Sequence, residues 1–196
     1  MRVQESDESV ALMLRLKAGD DLALNALMRL WQKPVVSFAL RYTGNLEDAR
    51  DLAQETFVRL YENRLRYEPA ARFSTWLFAI ASNLCRNHAR WQSRHPTVQN
   101  DELENERETF VSEERSPADN AARNDLASAV RQHVQALPHD LKSAVLLFDY
   151  EGLSQEQIAH ILGCTVKAVE MRLYRARHLL RERLSRWKVE PLIEQV

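Results

Sequence analysis

The 196-residue chain has only four glycines and six prolines. That is too few residues tolerant of positive φ for a turn-rich β fold, and the dominant Leu, Ala, Arg and Glu are good helix formers, so an all-α protein is expected. No apolar run approaches the ~20 residues that span a bilayer, the opening MRVQESDESV is too polar for a secretory signal, and two isolated cysteines point to a reducing compartment without disulfides. A cytoplasmic protein with no membrane insertion is expected.

Between about Ser9 and Trp31 apolar residues recur at helical spacing, interrupted at Gly19-Asp20-Asp21, where an aspartate suits the cap of the following helix. A further helix is expected to follow Pro34 and to end near Gly44-Asn45. Next, LEDARDLAQETFVRLYENR sets Leu46, Ala49, Leu52, Ala53, Thr56, Phe57, Leu60 and Tyr61 on one face. The opposite face carries Glu47, Asp48, Asp51, Gln54 and Glu55. After a loop with Pro69, a helix from Phe73 to about Trp91 follows, with Ser74 as its expected cap. From His95-Pro96 to about Asp119 periodicity fails and the stretch reads as a tether. Helical order returns through Leu126, Val130, Val134 and Leu137, breaks at Pro138, and resumes from Leu141 to Tyr150.

The formal net charge of −1 conceals a strong asymmetry. Asp101, Glu102, Glu104, Glu106, Glu108, Glu113 and Glu114 crowd the tether, whereas Lys167, Arg172, Arg175, Arg177, Arg181, Arg183 and Arg186 crowd the last helix. That last segment, EGLSQEQIAHILGCTVKAVEMRLYRARHLLR, is the most specific signal. Ser154 and Gln157 fit a capping box, Gly163 supplies a left-handed turn, and Thr165 can cap a second helix. Val166, Val169, Leu173, Ala176 and Leu180 would face inward. Lys167, Glu170, Met171, Arg172, Tyr174, Arg175 and Arg177 would face out, in the manner of a recognition helix in a major groove. Merely solvated charges are the competing reading, which the capped helix and glycine turn before them weaken. A helix-turn-helix implies DNA binding and leaves the biological role open.

The segments DARDLAQETFVRLY and FSTWLFAIASNLCRNHAR resemble regions 2.2 to 2.4 of the extracytoplasmic-function (ECF) sigma factors, and GLSQEQIAHILGCTVKAVEMRLYRAR resembles their region 4.2. Order, spacing and tether match as well. The resemblance implies two small helical domains joined by a flexible acidic linker: residues 1–95 for polymerase and the −10 element, 96–123 as linker, and 124–190 for the −35 element. It implies that Asp48, Asp51, Gln54 and Glu55 dock on the core polymerase, with the β′ clamp and β flap as partners and promoter DNA as ligand. It places Arg64, Arg66, Tyr67, Arg72, Asn83, Arg86, Asn87 and Arg90 around the −10 strand, with Tyr67 as a stacking platform; Phe73 and Trp76 are read as core. Relatives usually have Asp where Asn87 stands, and often a basic or small residue where Glu170 stands, so neither the −10 nor the −35 preference carries over. Thr165 joins the DNA-binding set. Glu170, Met171, Tyr174 and Arg175 are candidates for base edges, and Lys167, Arg172 and Arg177 for phosphates. An anti-sigma factor that masks both docking faces is implied too. In relatives the tether threads near the polymerase active centre, where its carboxylates could mimic nascent RNA; a bare spacer is the competing reading.

Other classes fare worse. Cys85, His88 and His95 match no common zinc spacing and lack a fourth ligand, so no metal or other cofactor is expected. The chain has neither a Gly-rich phosphate loop nor a nucleophile elbow, so no enzyme is expected. A stand-alone helix-turn-helix regulator would bind duplex DNA without polymerase.

Overall fold

The computed structural model describes residues 7–69, 72–95 and 117–185; the acidic run Asp101–Glu114 lies outside the described residues. Among the described residues the chain forms helices and no strand. They are α1 (Asp7–Lys17), α2 (Leu22–Thr43), α3 (Leu46–Glu62), a 3₁₀ turn (Arg64–Arg66), α4 (Phe73–Arg94), α5 (Pro117–Gln135), α6 (His139–Val145) with a π-helical turn (Leu146–Tyr150), α7 (Gln155–Leu162) and α8 (Val166–Leu184).

Three local readings need correction. Pro34 starts no new helix, because α2 runs unbroken through it. Proline in a helix interior costs about 3 kcal/mol, but Ala23, Leu27, Trp31, Val35, Phe38 and Tyr42 form one buried stripe across it, and that packing prevails. Ser74 is not the N-cap of α4: the helix begins at Phe73 with Arg72 at the cap position, and Ser74 lies buried inside the first turn. Helix α5 begins at Pro117, so the last residues assigned to the tether are helical. The expected aspartate at α2 is present in a shifted role. Asp20 Oδ1 accepts from Leu22 N at 3.2 Å, while Asp21 accepts from the Tyr61 hydroxyl at 3.0 Å.

Helices α1 to α4 close around an aromatic cluster. Trp31, 2% exposed, meets Phe73 and Phe78 edge-on at 5.5 and 6.2 Å, and its Nε1 donates to Ser9 Oγ at 3.0 Å. The indole thus buries a large apolar area without orphaning its N–H. Gly44, at φ 82°, ends α2, and Asn45 caps α3 by accepting from Glu47 N and Asp48 N at 2.8 and 3.1 Å.

In the C-terminal half, Gln157 N donates to Ser154 Oγ at 3.3 Å and Ser154 N to Gln157 Oε1 at 2.9 Å, which completes the capping box of α7. Gly163 (φ 61°) turns the chain in a left-handed conformation, and Thr165 Oγ1 accepts from Ala168 N at 3.2 Å to start α8. Val169, Leu173 and Ala176 anchor α8 to the core.

The two halves are not separate in this state: one buried apolar core runs through both. The seam between them is also polar. Lys142 of α6, 6% exposed, donates to the Tyr42 carbonyl at 3.2 Å, placing a cation at the negative end of α2. The Tyr42 and His139 rings stack at 6.1 Å. The Arg41 guanidinium lies 4.6 Å from the Tyr150 ring centre and 3.5 Å from Glu151 Oε1. Gln157, already in the capping box, donates from Nε2 to Thr75 Oγ1 of α4 at 2.8 Å.

Candidate nucleic-acid interface

Three helix faces carry the chemistry read from the sequence, and the structure sorts their residues. On α3, Asp51 and Gln54 are exposed, and neither makes a hydrogen bond or ion pair among the described residues. Asp48 is engaged elsewhere: its Oδ2 accepts from Gln92 Nε2 at 3.1 Å and lies 3.2 Å from His88 Nε2, tying α3 to α4. Glu55 pairs with Arg59 at 2.7 Å. Further along stand Val58 on α3, 49% exposed, and Leu65 in the 3₁₀ turn, 65% exposed. Sequence reasoning passed over both, although Val58 falls one turn after Gln54, on the face predicted to be polar.

Along α4, Asn83, Arg86, Asn87 and Arg90 recur at spacings of three and four and form one ridge. Asn83, Asn87 and Arg90 are exposed and Arg86 is half-buried; Arg86 donates to Asn83 Oδ1. Arg66 and Arg72 are exposed. Arg64 is turned inward, donating to the Tyr61 carbonyl at 3.0 Å with its guanidinium 4.1 Å from the Tyr61 ring centre. Tyr67 is a correction. The ring expected as a stacking platform is 0% exposed and packs against Phe73 and Trp76 at 6.2 and 5.3 Å, so no base can reach it here.

Helix α8 presents Met171, Tyr174 and Arg175 to solvent, with Tyr174 67% exposed. Glu170 is held by Lys167 at 2.6 Å on the same helix. Arg172 and Arg177, expected on phosphates, turn toward the protein. Arg172 donates to Cys164 Sγ at 3.2 Å and lies 3.7 Å from Asp140, while Arg177 lies 3.6 Å from Asp149 and over the Phe148 ring. Thr165 serves as the helix cap. A shallow groove of about 360 Å³ beside Tyr174 adds Gln155, His178 and Arg181, which were missed although 174, 178 and 181 continue the outward spacing.

One further side-chain set belongs here. Cys85, His88 and His95 point to different neighbours: Cys85 is buried, His88 faces Asp48, and His95 stacks on Trp91 at 4.9 Å. Burial pushes the Cys85 thiol up to about 12, so it holds its proton at neutral pH. A disulfide reagent at pH 8 is therefore expected to label the half-exposed Cys164 in the native protein and to reach Cys85 only after unfolding. Equal labelling rates for both thiols would contradict this burial.

Comparison with known proteins gives these faces a family. Residues 27–95 match the model of Sigma-70 region 2, and residues 127–180 that of Sigma-70 region 4. The RNA polymerase sigma-H factor of Pseudomonas aeruginosa is 31% identical over 94% of this chain and 97% of its own length. The ECF RNA polymerase sigma-E factor of Escherichia coli K12 is 34% identical over 94% of this chain and 95% of its own. The chain belongs to the ECF sigma factors.

It is accordingly a promoter-recognising transcription initiation factor that works with RNA polymerase. This sigma factor also resembles solved structures. CnrH, in complex with the cytosolic domain of CnrY, matches with a TM-score of 0.68 at 26% identity, over 92% of this chain and 99% of that one. RpoE of Bartonella quintana, crystallised with the anti-sigma factor NepR, matches in fold with a TM-score of 0.63 at 23% identity, over 82% of this chain and 96% of that one. No described helix of the sigma factor is long and apolar enough to cross a membrane.

Proposed function

We propose that this sigma factor carries core polymerase to promoters through three faces of distinct chemistry. Asp51 and Gln54, with exposed Val58 one turn further along α3, dock on the core enzyme at the β′ clamp. The Asn83–Arg90 ridge with Arg66 and Arg72 holds the −10 strand. Met171, Tyr174 and Arg175 read the −35 duplex, and the C-terminal body also meets the β flap. The body up to residue 95 and the body from Pro117 onward then act as two modules, so each adds effective concentration to the other. The protein acts in the cytoplasm by binding, without turnover of its own. Because CnrH forms a complex with the cytosolic domain of CnrY and RpoE with the anti-sigma factor NepR, an anti-sigma factor covering the exposed α3 face belongs to the same reading.

The observation that carries the proposal is the pairing on α3 of a carboxylate and an amide that have no partner among the described residues with an exposed valine one turn on. Apolar centre and charged border are what a protein interface needs, and the carboxylate fixes sign and register against a basic partner. Run-off transcription with purified core polymerase tests it. Asp51→Arg is expected to lower core association about thirtyfold, because like charges across an interface repel strongly, with unchanged helical content. Binding to core polymerase unaffected by this reversal would remove α3 from the interface. Specific duplex binding without polymerase would favour a stand-alone regulator.

A further inference from the structure

At the end of the ridge on α4, Asn87 and Arg90 adjoin three residues assigned to nothing so far, Trp91, Arg94 and His95. Trp91 is 55% exposed, whereas Trp31 is sealed in the core at 2%. The indole stacks on His95 at 4.9 Å with 24° between the rings, so its face is held in place by a second ring. Asn87, Arg90, Trp91, Arg94 and His95 together line a recess of about 310 Å³. No carboxylate is among the lining residues, and neither Arg90 nor Arg94 forms an ion pair with another described residue.

Helix geometry explains how this patch stands clear of the fold. His88 and Gln92, four apart, turn to Asp48 of α3 and bind the helix to its neighbour. Residues 87, 90, 91 and 94 take the other side. Trp91 therefore adds nothing to the aromatic cluster, and its exposure leaves a large π surface in water. Two guanidinium groups without an ion pair among the described residues, and an amide, surround it, so the frame of the ring carries positive charge only. The combination suits a polyanion that also carries flat rings. Tryptophan offers the largest stacking area for a base, and flanking arginines track the phosphates.

We propose that Trp91, backed by His95 and framed by Asn87, Arg90 and Arg94, is a stacking shelf for an unpaired base of a nucleic-acid strand. This rests on the reading of α4 as the promoter-strand helix, and extends that ridge by a full turn. It also supplies the platform that Tyr67, buried, does not. A paired base stays within its own stack, so the shelf favours single strands over duplex.

The test uses the full chain and two fluorescent probes of twelve nucleotides, an oligothymidine and a strand of the same length made of abasic sites. Binding is followed by anisotropy. Trp91→Ala is expected to weaken the oligothymidine about tenfold and the abasic strand less than twofold, the loss being one stacked base. Trp91→Phe should retain most of the affinity. Arg94→Ala should weaken both probes alike and flatten the salt dependence by about one released counterion. Unchanged oligothymidine binding by Trp91→Ala, or an equal loss on both probes, overturns the shelf. So does unchanged probe binding together with weaker core association, which would make Trp91 a protein contact. Run-off transcription by the wild-type holoenzyme is measured alongside. If it initiates while the Trp91→Ala result fails, only the shelf falls; if it does not initiate, the promoter reading itself falls.

Discussion

Between pH 4 and pH 8 the native protein is expected to lose about 3 kcal/mol of stability that the Glu151→Gln variant keeps. Glu151 lies at the seam with its side chain only 10% exposed. Burial pushes its carboxyl up to about 7 from the usual 4.5, and the guanidinium of Arg41, 3.5 Å away, only partly offsets this. In the unfolded chain the group ionises near 4.5, in water. Below that pH both states carry the proton and nothing is lost. Between about 4.5 and 7 the unfolded chain ionises this group freely while the buried carboxyl keeps its proton, so stability falls across that window; above about 7 the folded protein carries the poorly solvated charge too, and stability levels off at the lower value. Guanidinium unfolding of wild type and Glu151→Gln at several pH values isolates the effect, because other titrating groups cancel in the difference. Parallel pH profiles for the two proteins would show that Glu151 is better solvated than its burial implies.

Trp31→Ala is expected to cost about 4 kcal/mol, the usual scale for emptying a core tryptophan site. The indole fills the space between Phe73 and Phe78, and its N–H satisfies the buried hydroxyl of Ser9. Removing it leaves both a cavity and a polar group without its donor. Trp31→Phe restores most of the volume but not the hydrogen bond, so a loss of about 1–2 kcal/mol is expected there. Urea unfolding measures both. A loss below about 1 kcal/mol for the alanine variant would mean that α1 and α4 close over the gap.

Patterns set by neighbours along the chain were readable in the sequence. The capping box at Ser154 and Gln157, the turn at Gly163 and the cap at Thr165 depend on residues three or four apart, and each formed as spacing required. Partners distant in sequence were not readable. That Asp48 faces His88 and Gln92 on α4, or that Arg172 and Arg177 turn to Asp140 and Asp149, follows from tertiary packing alone. Tyr67 illustrates the same limit. A tyrosine in a basic loop has the chemistry of a stacking platform, but only the positions of Phe73 and Trp76 decide whether its ring is inside. Pro34 failed as a break because local preference was outweighed by a stripe of buried side chains on either side. Trp91 was within reach, since 87, 91 and 94 repeat at helical spacing beyond Asn83.

The joint between Tyr42, Lys142, Thr75 and Gln157 has a geometric consequence. Promoter elements named for positions −10 and −35 lie roughly 25 base pairs apart, about 85 Å along a duplex at 3.4 Å per step. A compact chain of this length is only about 40 Å across. No single rigid posture of the closed molecule can touch both marks. The joint must part before both are occupied, and whatever free energy it holds is deducted from promoter affinity. Core polymerase, by gripping the halves apart, would relieve the DNA of that cost, and the isolated protein would remain a poor reader of its own sites.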